Sequence, residues 1–186
     1  MGKLKQLLPL GDTTVINRCL DALITAETED IVVVLGPGQK ELMESINDYP
    51  VTLAVNEDAG SDMAESVRVG LAATDERSTG VLICLSDHPL VSPETVKLLA
   101  ATHPKEPHRI IIPVCNGRRG HPALFPRGVI QEIFTGMNLR EIIRNDPCRV
   151  MLVEVQDEGV IMDMDTKEDY LAIMRKIGVV RHVEGP

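Results

Sequence analysis

The chain has 186 residues, 44% of them apolar and 25% charged, with a net charge of −9 and a pI near 5. That is the length of one domain with a full hydrophobic core, ordinary in composition, so intrinsic disorder is excluded for most of it. The acidic balance repels a phosphodiester backbone and argues against nucleic acid as a partner, and no apolar run approaches the ~20 residues of a membrane span.

Taken in chain order, strand-length apolar runs alternate with helical periodicity. Thr13–Ala26 carries one apolar stripe, with Thr13 placed to cap it. Ile31–Leu35 predicts a buried strand, Gln39–Asn47 a helix and Val51–Val55 a second strand. Met63–Ala73 is helical by spacing, and Val81–Leu85 predicts a third strand. Ser92 and Pro93 fit the cap and first position of a helix running to about Ala101. Strands follow at Arg109–Pro113, Val150–Val155 and Val160–Met162. Asp165-x-x-Glu168 resembles a capping box opening a helix over Lys167–Ile177. From about Val180 the chain reads as a tail, so residues 1–186 form one α/β domain with that tail at its end.

Continuous β-branched runs, rather than alternating ones, belong to strands covered on both faces. The expected architecture is therefore a three-layer α/β/α, Rossmann-like, mostly parallel sheet. Aromatics are scarce, with two Tyr, two Phe and no Trp, so the core is built from Val, Ile, Leu, Met and Ala. The cysteines Cys19, Cys84, Cys115 and Cys148 are far apart and form no Cys-x-x-Cys pair. They read as buried, reduced thiols of a cytoplasmic protein.

Ligands of open α/β sheets bind beyond the carboxyl ends of strands, and three segments lie there. Ser86-Asp87-His88-Pro89 follows the third strand; Asp87 is either a Mg2+ ligand or a turn residue. Asp163-Met164-Asp165 sits at the last strand-to-helix junction, offering either a second metal ligand or a helix cap. Gly117-Arg118-Arg119-Gly120-His121 pairs guanidinium groups with glycines, which suits a phosphate, or is a solvated basic turn around a structural histidine. Lys5 has no signal by spacing alone. Gly36-Pro37-Gly38 is a turn, without the spacing of a dinucleotide or Walker loop.

Together and in this order, these segments resemble the molybdenum cofactor nucleotidyltransferases, above all the cytidylyltransferase branch. Met1–Leu10 is similar to R-M-G-x-x-K-x-L-L-P-L, Ser86–Val91 to D-Q-P-L-V, and Met63–Leu71 to M-S-S-S-V-R-x-G-L. Arg118–Phe125 is similar to R-G-H-P-V-L-F and Asp163–Tyr170 to D-I-D-T-P-E-D-Y. The resemblance implies transfer of CMP from CTP to the terminal phosphate of molybdopterin with release of pyrophosphate. It makes Lys5 a phosphate-binding lysine, Asp87 and Asp165 ligands of Mg2+, Ser66 a nucleotide contact, and Arg118, Arg119 and His121 the acceptor side. A molybdenum hydroxylase-type oxidoreductase is the implied downstream partner.

Departures bear on the base and the acceptor more than on the chemistry. His88 stands for the usual Gln, Ala64 and Glu65 for two serines, and Lys167 for Pro. The family's first strand and its L-A-A-G-x-S-x-R-M-G loop have no counterpart in these 186 residues. A sheet without that strand is expected to carry unpaired ladder groups at about 1–3 kcal/mol each where buried. The alternatives are a guanylyltransferase, or another NTP transferase of the family (GTP in place of CTP), and a non-catalytic carrier of the cofactor.

Overall fold

The computed structural model describes residues 4–60 and 62–178. The tail expected from about Val180, and Met1–Lys3 of the first motif, lie outside the described residues.

Among the described residues, nine strands and seven α-helices follow one another. A short ribbon, β1 (Pro9–Leu10) against β2 (Thr13–Thr14), precedes α1 (Val15–Thr25). Then come β3 (Val32–Leu35), α2 (Lys40–Ser45), β4 (Thr52–Val55), α3 (Met63–Ala73), β5 (Gly80–Ile83) and α4 (Pro93–Thr102). The second half contains β6 (Ile110–Cys115), β7 (Arg118–Arg119), β8 (Ala123–Pro126), α5 (Arg127–Ile130), α6 (Leu139–Asn145), β9 (Val150–Glu154) and α7 (Lys167–Lys176).

β6 and β8 explain the continuous apolar runs. Ile110 and Ile112 of β6 and Phe125 of β8 turn to one face, where α3, α5 and α6 supply Leu71, Ile130 and Ile142. Ile111 and Leu124, one residue out of phase, turn to the other face and meet Leu99 of α4. Side chains of a strand alternate, so two covered faces require every position to be apolar. The α/β/α layering follows.

The sheet is mixed in direction. β3–β4 and β6–β9 are parallel, as the alternation of strand and helix predicts, but β8 runs antiparallel between β5 and β6. The Ala123–Pro126 strand carries no helix between itself and β7, so it returns as a hairpin rather than a crossover. Besides the β1–β2 ribbon, the described strands form two separate hydrogen-bonded sets, the β3–β4 ladder and a five-stranded set built around β6. Among the described residues, β3 pairs only with β4, and β5 only with β8. Each of these strands therefore has one edge without a ladder partner.

Four local expectations are corrected. Val160–Met162 is not a strand: Glu158–Ile161 forms a 3-10 turn, opened by the Asp157 carboxylate accepting from the Gly159 N–H at 2.9 Å. Thr14, not Thr13, caps α1, because Thr13 is paired with Leu10 in the ribbon. The capping box of α7 is Thr166 with Asp169, one residue later than Asp165 with Glu168. Of the cysteines only Cys115 is buried; Cys19 is half-buried, and Cys84 and Cys148 are exposed. Burial of the sulfur still pushes the Cys19 thiol up to about 12.

Candidate active site at the carboxyl ends of the strands

Three segments distant in sequence meet beyond β5. Lys5 lies in a 3-10 turn, Lys5–Leu7, that leads into β1. β1 and the first residue of α1 are pinned against α7 and the segment before it: Leu10 and Val15 pack with Met164 and Ile173, and the Tyr170 hydroxyl donates to the Pro9 carbonyl at 2.5 Å. The start of α7 therefore stands beside the Lys5 turn. Asp87 arrives from β5, whose following loop is tied to the same turn by Gln6 Nε2 donating to Ser86 Oγ at 3.3 Å.

Lys5 Nζ lies 2.8 Å from Asp87 Oδ2 and 2.9 Å from Asp165 Oδ1. The side chains of Lys5 and Asp87 are 28% and 21% exposed, that of Asp165 65%. Partial burial opposes the lysine charge, but the hydrogen bonds to Asp165 and Asp87 outweigh it and hold its pKa above the usual value. The cap of α7 explains why Asp165 is available. Thr166 and Asp169 satisfy the helix end, and the Asp165 N–H donates to Asp169 at 3.3 Å, so the Asp165 carboxylate is not spent on the cap. Asp87 Oδ1 is buried and has no hydrogen-bond partner.

His121 stands nearby for a different reason. Between the pairs Ile111↔Leu124 and Val114↔Arg119, β6 advances three residues while the opposing chain advances five. The extra residues form a bulge holding His121, whose N–H donates to the Val160 carbonyl at 2.8 Å. Burial, and secondly His88, push the His121 imidazole below its usual value, while Asp87 and Asp163 pull it partly back. The His88 and His121 rings are 5.3 Å apart. A small cavity beneath them, about 30 Å³, is lined by Cys19, Cys84, His88 and His121 with apolar neighbours.

Arg118 and Arg119 are not brought to the triad by any described contact. They form the returning arm of a tight hairpin turned by Asn116 and Gly117, both at positive φ, and both arginines are exposed. Ser66 sits in the first turns of α3 and accepts a hydrogen bond from Asn56 Nδ2 at 3.0 Å. Asn56 follows β4 and is buried.

Sequence reasoning passed over Asn56 and Asp157, and noted His88 only as a departure from the motif. The strand-end rule that singled out Asp87 applies equally to Asn56. His88 Nδ1 lies 3.4 Å from the Gly159 carbonyl, and Asp157 Oδ2 accepts from the Ser92 N–H at 2.8 Å and the Thr95 hydroxyl at 2.7 Å. These bonds clamp the Asp87 loop and the foot of α4 onto the Glu158–Ile161 turn. Nothing local in the sequence signals them.

A Rossmann-like sheet that gathers a lysine and two carboxylates at its carboxyl edge is built as nucleotide-transferring folds are. The chain belongs to the MobA-like NTP transferase domain family, whose model matches residues 1–150. It is 28% identical over 181 residues to the nicotine blue oxidoreductase of Paenarthrobacter nicotinovorans, covering 91% of this chain and 87% of that one. It is 27% identical over 150 residues to the bifunctional protein GlmU of Clostridium perfringens, covering 76% of this chain but 30% of GlmU. Among solved structures, Rv0371c of Mycobacterium tuberculosis H37Rv superposes with a TM-score of 0.79 at 27% identity, covering 94% of this chain and 90% of that one. The same protein has been solved in complex with manganese, with a TM-score of 0.77, 27% identity, and coverage of 94% and 93%. A nucleotidyl transferase from Methanothermobacter thermautotroptrophicus shares the fold, with a TM-score of 0.80 at 22% identity, covering 95% of this chain and 86% of that one. Among the described residues no helix is long and apolar enough to cross a membrane.

Proposed function

We propose that this protein transfers a nucleoside monophosphate from an NTP to a phosphorylated acceptor, with a divalent metal and release of pyrophosphate. The observation that carries the reading is the convergence of Lys5, Asp87 and Asp165 at the carboxyl edge of the sheet. The donor set suits Mg2+ or Mn2+: two carboxylates, one with a buried oxygen lacking any partner, are hard ligands, and such ions bind with one or two carboxylates plus phosphates and water. The manganese complex of the mycobacterial relative supports the same assignment.

In the reaction, an acceptor phosphate oxygen forms a bond to the α-phosphorus as the α–β bridging P–O bond breaks and pyrophosphate leaves. A phosphate acceptor is already ionised near pH 7, so no general base is assigned. Asp87 and Asp165 would hold the metal, which supplies charge neutralisation across the phosphates. Lys5 would bind the β- and γ-phosphates as a point charge, since transfer of this kind relies on positioning and electrostatics. Ser66, oriented by Asn56, would contact the nucleotide. His121, kept neutral by burial and by His88, would shape the acceptor side without adding charge. Arg118 and Arg119 would reach the acceptor phosphate only if their hairpin closes over the site.

The narrower reading, CTP with molybdopterin as acceptor and a molybdenum hydroxylase as recipient, rests on the motif resemblance. GTP is the competing nucleotide. The test is pyrophosphate release with CTP, GTP or ATP, Mg2+ or Mn2+, and molybdopterin. Pyrophosphate separates transfer from the oxidoreduction named for the Paenarthrobacter relative, and from carriage of a cofactor without turnover. Asp87→Ala is expected to lower kcat/KM by on the order of 10²-fold or more. Full metal-dependent turnover in that variant would sink the assignment.

A further inference from the structure

Two oxygens from different ends of the chain converge on one point, and that point is filled by Lys5 Nζ, 2.8 Å from Asp87 and 2.9 Å from Asp165. A divalent cation shared by the same two oxygens would sit about 2.0–2.1 Å from each. It would therefore overlap the ammonium. Lys5 and the metal cannot both stand between these carboxylates.

We propose that the Lys5 ammonium is the internal counter-ion of this site, holding the place of the divalent cation and exchanging onto the nucleotide's terminal phosphates when metal and nucleotide bind. The proposal rests on the reading that this site takes a metal and an NTP. Charge balance favours the exchange. Asp87, Asp165 and Lys5 together carry −1; two carboxylates with a divalent ion carry zero, and the displaced ammonium then needs an anion. The phosphates supply it. Geometry allows the movement as well: Lys5 stands on a three-residue turn with no buried residue, and its four-carbon stem can swing without a change in the backbone. The buried oxygen Asp87 Oδ1, which the ammonium does not satisfy, is a second ligand atom that only the incoming ion would use.

Metal and nucleotide binding are then coupled through one side chain. Metal alone must displace Lys5 with no anion to receive it, so it binds weakly; with NTP present the same step is favourable. Such coupling is reciprocal and is commonly 5- to 150-fold, about.

The test is Mn2+ binding to the nucleotide-free protein, followed by electron paramagnetic resonance of the free ion. Lys5→Met keeps the stem and removes the competitor, and is expected to bind Mn2+ about tenfold more tightly than wild type, while Lys5→Arg, which keeps a cation, stays near wild type. Asp87→Asn is expected to weaken Mn2+ binding. A second readout reports occupancy rather than charge: on titration with Mg2+ and CTP, the Lys5 Cε methylene signal should move, and CTP should raise the metal affinity of Lys5→Met by a smaller factor than it raises that of the wild type, the phosphates' own ligation of the metal being common to both. Mn2+ binding no tighter in Lys5→Met, or a Lys5 methylene unmoved while metal binds, would overturn the exchange. If Asp87→Asn also binds Mn2+ as wild type does, the metal site itself is wrong and the proposed function falls with it. If Asp87→Asn weakens binding but Lys5→Met does not tighten it, the exchange alone fails.

Discussion

Asp87 and Asp165 share a cation but not an environment. The Asp87 side chain is the more buried and has an oxygen shut away from water, whereas most of the Asp165 side chain is open to solvent. Solvent screening weakens an exposed charge, so Asp87→Asn is expected to lose more Mn2+ affinity than Asp165→Asn. Calorimetric titration of the two variants checks the order. Gly159 makes a different demand. A Cβ at this position would lie 2.0 Å from the Leu90 carbonyl oxygen, so backbone rather than a yielding side chain must move. Gly159→Ala is expected to cost about 1–3 kcal/mol by overpacking, at roughly 2–4 °C of Tm per kcal/mol in a chain of this size. Differential scanning calorimetry measures it. The glycine was silent in the sequence because the atom it must avoid is 69 residues away.

Among the elements, α7 decides what Asp165 can do. Thr166→Val removes the cap and is expected to cost about 1 kcal/mol, while Asp165→Ala leaves thermal stability within about 0.5 kcal/mol. Thermal melts of both variants separate the cap from the proposed metal ligand. The sequence located this helix correctly but shifted its cap by one residue, because Asp165-x-x-Glu168 and Thr166-x-x-Asp169 offer competing boxes and packing selects between them. Elsewhere Arg149 clasps the Glu132 carboxylate, with Nη2 at 2.8 Å, and also reaches the Ile142 carbonyl at 2.7 Å. The hydrogen bond from Arg149 holds the Glu132 carboxyl below its ordinary value, against a smaller burial effect. A depressed carboxyl stabilises the fold above its unfolded pKa, about 4.3, and that contribution is lost as pH falls through the lower folded value. Glu132→Gln is therefore expected to be less stable than wild type by about 1 kcal/mol at pH 7, with the gap closing as pH is lowered toward 3. Urea titrations across that range test it.

On the scale of the whole molecule, the separation of the two ladders is the feature with the largest consequence. The Thr52 N–H donates to the Ile31 carbonyl and the Asn56 N–H to the Leu35 carbonyl, so Ile31, Val33 and Leu35 address β4. Alternation turns the backbone groups of Val32 and Val34 toward the edge where the described residues place no ladder partner. Their amides are expected to exchange with deuterium faster than those of Val33 and Leu35, a difference that hydrogen exchange followed by NMR resolves. Equal protection would mean that this edge is covered.

The strands at 31–35, 51–55, 81–85, 109–113 and 150–155, the helices α1–α4 and α7 and the cap at Ser92 were legible from the sequence, because each depends on residues within a turn or two of one another; β7, β8, α5 and α6 were not read, and β4, whose Leu53 and Val55 are exposed, is not covered on both faces. The 3-10 turn at Glu158–Ile161 was not, since a short apolar run reads as a strand until Asp157 and the backbone around it settle the matter. Nor was the antiparallel course of β8, because strand direction depends on which neighbour a strand meets. The candidate site divides in the same way. Asp87 could be picked out at a strand end, whereas Lys5 gave no local signal, and the sequence by itself could offer its role only through resemblance. Tertiary structure alone brings Lys5 to Asp87 across 82 positions and to Asp165 across 160, because the packing of β1 and the start of α1 on α7 and the loop after β5 determine that meeting, and no rule of short-range spacing reaches so far.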